Sequence, residues 1–138
     1  MPTSLSPEEA LIYIMVTMSA VDRDMSDLEL EKIGHIVRKM PVFEGYNADN
    51  LIETATACGA VLRQDTGLQD VLESVKQALP PHLLETAYAF AVETAAADGS
   101  LQKEELRLLQ IFRVGLGIDR LIATAIERGA HARHAILS

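Results

Sequence analysis

Two stretches of this chain place oxygen-bearing side chains where they could converge on a cation. In Asp98-Gly99-Ser100-Leu101-Gln102-Lys103-Glu104-Glu105-Leu106, an Asp is followed seven residues later by a Glu and then a Leu. Asp22-Arg23-Asp24-Met25-Ser26-Asp27-Leu28-Glu29-Leu30 carries the same spacing. Hard divalent cations take several oxygen ligands from carboxylates, carbonyls, hydroxyls and water. An Asp in a turn between helices and a Glu in the first turn of the next helix can supply two of them, and partly free backbone groups at helix ends add polarity. The candidate ligands are Asp22, Asp24 and Glu29 in the first stretch, and Asp98, Ser100 and Glu105 in the second. Asp24 and Ser100, two residues after the leading Asp, each offer one further oxygen. A calcium-like hard ion suits this donor set better than zinc.

The second stretch also satisfies D-G-x-[LI]-x-x-x-E-L, the second half of an EF-hand loop. Its first half is missing. The two earlier ligand positions would be Thr94 and Ala96, or Met18 and Ala20 in the first copy, and all four fall inside apolar helices. An ion would need water, Glu93 or the other copy to complete its shell. A second reading needs no ion. Asp and Ser are ordinary caps at a helix–helix turn, and Ser26 with Glu29 three residues on is a capping-box pattern. Gln102 takes the cap position in the second copy and is a poor cap residue. Arg23, where the second copy has Gly99, could neutralise the first site.

These turns need helices to hold them. Ser6-Pro7-Glu8-Glu9 reads as a helix start, with a Ser cap, Pro in the first turn and acids against the helix dipole. Leu11, Ile14, Met15, Met18 and Val21 follow at helical spacing, which predicts helix 1 over about 7–21. Helix 2 begins at Ser26, with Leu30, Ile33, Val37 and Met40 in one stripe, and Pro41 ends it. Asn47 or Asn50 caps helix 3, to about Leu62. Helix 4 covers about 68–79. Pro80-Pro81 starts helix 5, which runs to about Ala97. Helix 6 spans about 103–116, with Leu106, Leu109, Phe112 and Leu116 inward. Asp119 caps helix 7, to about Ala132. No segment alternates with period two for long enough to make a strand. Seven helices with short loops predict an all-α fold.

The chain also repeats itself. A shift of 76 places Glu9, Val16, Ala20, Asp22, Glu29 and Leu30 on Glu85, Val92, Ala96, Asp98, Glu105 and Leu106. A shift of 70 places Leu51-Ile52, Thr54-Ala55 and Gly59-Ala60 on Leu121-Ile122, Thr124-Ala125 and Gly129-Ala130. The expected architecture is one seven-helix domain over 1–138, built from two pseudo-twofold three-helix repeats. Repeat one covers about 7–62, a linker helix about 67–79, and repeat two about 83–132.

Composition narrows the function. With 138 residues and 49% hydrophobic content, the chain can bury a core as one domain and is not disordered. Its net charge of −8 and lack of a basic run argue against nucleic-acid binding and against an anionic-membrane surface. The apolar run Ala10–Ala20 is too short to span a bilayer, so no membrane insertion is expected. The first residues lack the pattern of a signal peptide, and a cytoplasmic location is expected. The single cysteine, Cys58, reads as a buried structural thiol.

Two further pairs have metal-ligand spacing: Glu31 with His35, and His131 with His134. Neither has a third ligand nearby in sequence, and the tail His pair reads as solvated. No Gly-rich phosphate loop or G-x-S-x-G occurs, and the protein is read as non-enzymatic.

The chain resembles the tellurite-resistance protein B (TerB)-like domains over nearly its whole length. The resemblance is carried by the apolar helix ending Ala95-Ala96-Ala97-Asp98-Gly99, by Glu105-Leu106 after it, by the weaker copy around Asp22 and Glu29, and by the duplicated seven-helix layout. It implies an all-helical cytoplasmic domain whose acidic residues bind a metal cation, by position Asp22, Glu29, Asp98 and Glu105. It further implies a role in tellurite resistance or a related stress response, beside protein partners that include membrane-associated stress proteins. Homo-oligomer formation stays open. So does the alternative of a helical interaction or scaffold module whose acidic turns only cap helices.

Overall fold

The computed structural model of the protein describes residues 4–20, 25–96 and 101–137. Those residues form an all-α bundle of seven α-helices, with no strand among them. The helices are α1 (Pro7–Ser19), α2 (Asp27–Lys39), α3 (Leu51–Leu62), α4 (Gly67–Ala78), α5 (Leu84–Ala96), α6 (Lys103–Gly115) and α7 (Arg120–Arg133). Short 3-10 turns at Pro41–Phe43, Ala48–Asn50 and Pro81–Leu83 lead into or out of them.

α1 is the axis of the bundle. It packs against α2, α3, α4, α5 and α6, and every residue from Ala10 to Ser19 is buried. The stripe expected on one face is therefore only part of what is buried. A helix surrounded by partners must be apolar all round, and Ala10, Ile12 and Val16 fill the faces between Leu11, Ile14, Met15 and Met18. Thr17, buried in that run, returns its Oγ1–H to the Tyr13 carbonyl at 2.7 Å. α5 is the second inner helix and packs on α1, α6 and α7.

Helix boundaries follow the expected chemistry with local exceptions. Ser6 Oγ accepts from Glu9 N at 3.1 Å while Glu9 Oε1 accepts from Ser6 N at 2.9 Å, a reciprocal cap. Pro41 stops α2 and opens a 3-10 turn, because proline has no N–H to continue the helix. Asn47 caps the 3-10 turn before α3 by accepting from Asp49 N at 3.0 Å, whereas Asn50 makes no side-chain cap bond. Pro80-Pro81 begins a 3-10 turn, and α5 itself starts only at Leu84.

Two inward assignments are corrected. Leu106, expected in the core with Leu109, Phe112 and Leu116, is 51% exposed, while Leu108 is buried in its place. Met40, at the end of the α2 stripe, is 42% exposed because α2 stops just before it. Val21 and Ala97, the expected last residues of helices 1 and 5, lie outside the described residues. Cys58 is buried, with Sγ at 3.7 Å from both the Tyr13 carbonyl and Thr17 Oγ1. Desolvation pushes its thiol up to about 12, only partly offset by the Thr17 hydrogen bond, so the thiolate is not accessible near neutral pH.

Candidate acidic-turn site

Of the six candidate ligands, Asp22, Asp24, Asp98 and Ser100 lie outside the described residues. Glu29 and Glu105 are described, and both are half-buried at the third position of their helices. Each has one carboxylate oxygen committed to a helix cap. Glu29 Oε1 accepts from Ser26 N at 3.0 Å, and Ser26 Oγ accepts from Glu29 N at 3.2 Å. Glu105 Oε1 accepts from Gln102 N at 2.8 Å. The backbone half of a capping box thus forms in the second copy although Gln102 replaces Ser, because the Glu side chain alone can satisfy the cap N–H. Glu105 Oε2 has no hydrogen bond among the described residues.

The geometry also brings the flanks of the two turns together. One cleft of about 220 Å³ is lined by Ser19 at the end of α1, by Glu29, Lys32 and His35 on α2, and by Glu93 and Thr94 near the end of α5. Ser19 on α1 and Thr94 on α5, each in the last turns of the helix that precedes an acidic stretch, therefore border one space with Glu29, and Glu105 does not line it. That proximity has no signature in sequence, because it depends on how α1 and α5 cross.

Glu93, the acid suggested as an extra ligand, already has partners. Arg133 Nη2 donates to Glu93 Oε2 at 2.6 Å, and His134 Nε2 lies 2.7 Å from Glu93 Oε1. Burial pulls the Glu93 carboxyl upward, but the hydrogen bonds and charges of Arg133 and His134 outweigh it and hold the pKa below the usual carboxylate value. His134 is therefore half-buried and tied to α5, not a solvated tail residue. The zinc pairs gain no third ligand: among the described residues no group of three or more His, Cys, Asp or Glu side chains is arranged to hold a metal ion.

Sequence reading also missed the pairing of Tyr88 with Glu127. The Tyr88 hydroxyl donates to Glu127 Oε2 at 2.6 Å across α5 and α7. Burial, the hydrogen bond and the carboxylate charge all raise the phenol's pKa, and Arg113 works the other way. These partners are some forty residues apart, and one sequence carries no local pattern that could find them.

No described helix is long and apolar enough to cross a membrane. The model of a family described as tellurite resistance protein TerB matches residues 8–126. No curated protein and no solved structure matches the chain.

Proposed function

The chain belongs to the TerB family, and from that premise we propose that it is a non-enzymatic cytoplasmic domain that binds a hard divalent cation at its two acidic turns and acts in a tellurite-resistance or related stress response. The observation that carries the reading is the shared cleft bordered by Ser19 and Glu29 on one side and by Glu93 and Thr94 on the other. A half-site around Glu29 that lacks ligands gains oxygen donors from Glu93 and Thr94 across this cleft. The donor chemistry fits: carboxylates suit calcium, magnesium or manganese, and Glu105 keeps one oxygen outside the cap. Asp22, Asp24, Glu29, Asp98, Ser100 and Glu105 would hold the ion, which would supply positive charge between the turns and bind their loops together.

Internal duplication is part of this reading. It is supported by the packing pairs: α1 lies on α2 and α3 as α5 lies on α6 and α7, and α1 and α5 lie on each other.

Thermal unfolding with added calcium, magnesium, manganese or zinc tests it. A hard ion at millimolar concentration raises the melting temperature, and Asp98→Asn with Glu105→Gln removes the rise. If no divalent ion changes stability, the cation reading is wrong. A second reading then takes over, favoured by the cap hydrogen bonds on Glu29 and Glu105. In it the turns only start helices, and the domain works as a helical interaction module with a protein partner or a second copy.

A further inference from the structure

A small polar cleft of about 200 Å³ lies on the far side of α1, between that helix and α3. Glu9 and Tyr13 of α1 line it together with Tyr46, Asn50, Glu53 and Thr54. Each of these side chains carries an oxygen that can accept a hydrogen bond, and no described Lys, Arg or His lines the space. Acidic side chains are common on this chain, so Glu9 and Glu53 alone would mark nothing.

The Tyr13 hydroxyl singles the cleft out. Tyr13 is only 3% exposed, yet its hydroxyl has no hydrogen-bond partner among the described residues. Leaving a buried hydroxyl without a partner is costly. Among the described residues no buried side-chain oxygen is both sealed from solvent and unpartnered, so this hydroxyl opens onto the cleft that Tyr13 lines. The other phenol there is satisfied: Tyr46 Oη and Thr54 Oγ1 share a hydrogen bond at 2.7 Å. Glu9 gives Oε1 to Ser6 N at 2.9 Å and keeps Oε2, and Glu53 is exposed with no partner among the described residues. The field is negative: besides burial, the charge of Glu9 raises the pKa of both phenols, and Glu53 and Glu8 add to it at Tyr46 against the Thr54 hydrogen bond. Both phenols therefore stay protonated at neutral pH.

We propose that this cleft binds a small primary alkylammonium, its N–H donors shared among Glu53, the remaining Glu9 oxygen and the Tyr13 hydroxyl, with its short alkyl chain against the Tyr46 ring. An ammonium has three donors and no acceptor, which suits a lining of acceptors, and aromatic faces attract such cations. A hard metal ion suits the lining less well, since it takes six or more oxygens and no three described carboxylate, His or Cys side chains are arranged for one. The site is separate from the acidic turns and does not depend on an ion there.

NMR titration of the labelled protein with butylammonium, butanol and butyrate at pH 7 tests the assignment. Butylammonium saturates at one per chain in the millimolar range and shifts the amides around Tyr46 and Glu53, while butanol and butyrate bind at least tenfold more weakly. Tyr13→Phe removes a hydroxyl that bonds nothing in the protein, so it keeps the melting temperature and weakens butylammonium about tenfold, the loss of one hydrogen bond to a charged group. Glu53→Gln, at an exposed position, weakens butylammonium about as much and leaves butanol unchanged. Glu104→Gln removes the same charge from α6 and changes neither. The proposal is overturned if butanol binds as tightly as butylammonium, if Glu104→Gln weakens butylammonium as much as Glu53→Gln, if folded Tyr13→Phe and Glu53→Gln both bind it like the parent, or if it does not saturate at millimolar concentration.

Discussion

Glu105 separates the two readings of the acidic turns, because its two oxygens have different duties. Oε1 caps α6 by accepting from Gln102 N at 2.8 Å, and Oε2 is not used by the described residues. Glu105→Gln keeps an oxygen for the cap and removes only the charge, which near a helix N-terminus is worth about 0.3–1 kcal/mol. Glu105→Ala removes the acceptor as well, and loss of such a cap costs about 1 kcal/mol, nearer 0.5 where water can replace it. Without divalent ions the expected order of stability is therefore parent, then Gln, then Ala, read from urea midpoints at constant slope. With an ion at ten times its dissociation constant, the parent gains about 1.4 kcal/mol by mass action. For a chain of this size that is a rise of about 5 °C in melting temperature. Neither variant shows that rise if Glu105 is a ligand. The cap argument fails if Glu105→Ala matches the parent without ions. The ligand argument fails if Glu105→Gln keeps the full ion-dependent rise.

Other features give sharp expectations. A Cβ at Gly67 would meet the Val61 carbonyl oxygen and lie 2.7 Å from Leu62 Cα and 2.8 Å from Leu62 O. Gly67→Ala must displace backbone at the α3–α4 turn, with a loss of about 1–3 kcal/mol or more in chemical denaturation. Cys58, buried and with its thiol pushed up to about 12, stays unreactive toward a disulfide reagent at pH 8 in the native protein and reacts at once in denaturant. Glu93 has a lowered folded pKa, so the stability it contributes is present above the ordinary carboxylate pKa and is lost as pH falls through the folded value. The stability difference between the parent and Glu93→Gln therefore shrinks in denaturation curves taken from pH 6 down to pH 3, and its persistence at pH 3 would contradict the Arg133–His134 clasp.

The sequence by itself determined the fold class, the seven helices and most of their ends. Those features are local. Ser6 with Glu9 and Ser26 with Glu29 cap within one turn, Pro41 stops a helix through its missing N–H, and the apolar residues of α1 and α6 mark segments too oily to stay in water. Family membership was legible as well, in the apolar helix ahead of Asp98 and the Glu105-Leu106 that follows. Sequence could not tell that α1 is enclosed on every side, because a stripe and a fully buried helix differ only in what packs against the remaining faces. It placed Leu106 inside, since spacing gives a residue's phase on its helix but not how far the neighbouring helix extends over it.

Only the tertiary structure decided what Glu29 and Glu93 stand beside. The cleft between Ser19, Glu29, Glu93 and Thr94, the Glu93 clasp to Arg133 and His134, and the Tyr88–Glu127 pair all join residues far apart in the chain. Their energies depend on distances of a few ångströms, which the packing of α5 against α1 and α7 sets. Spacing along one helix says which carboxylates share a turn, while the crossing of two helices says which helix ends share a space.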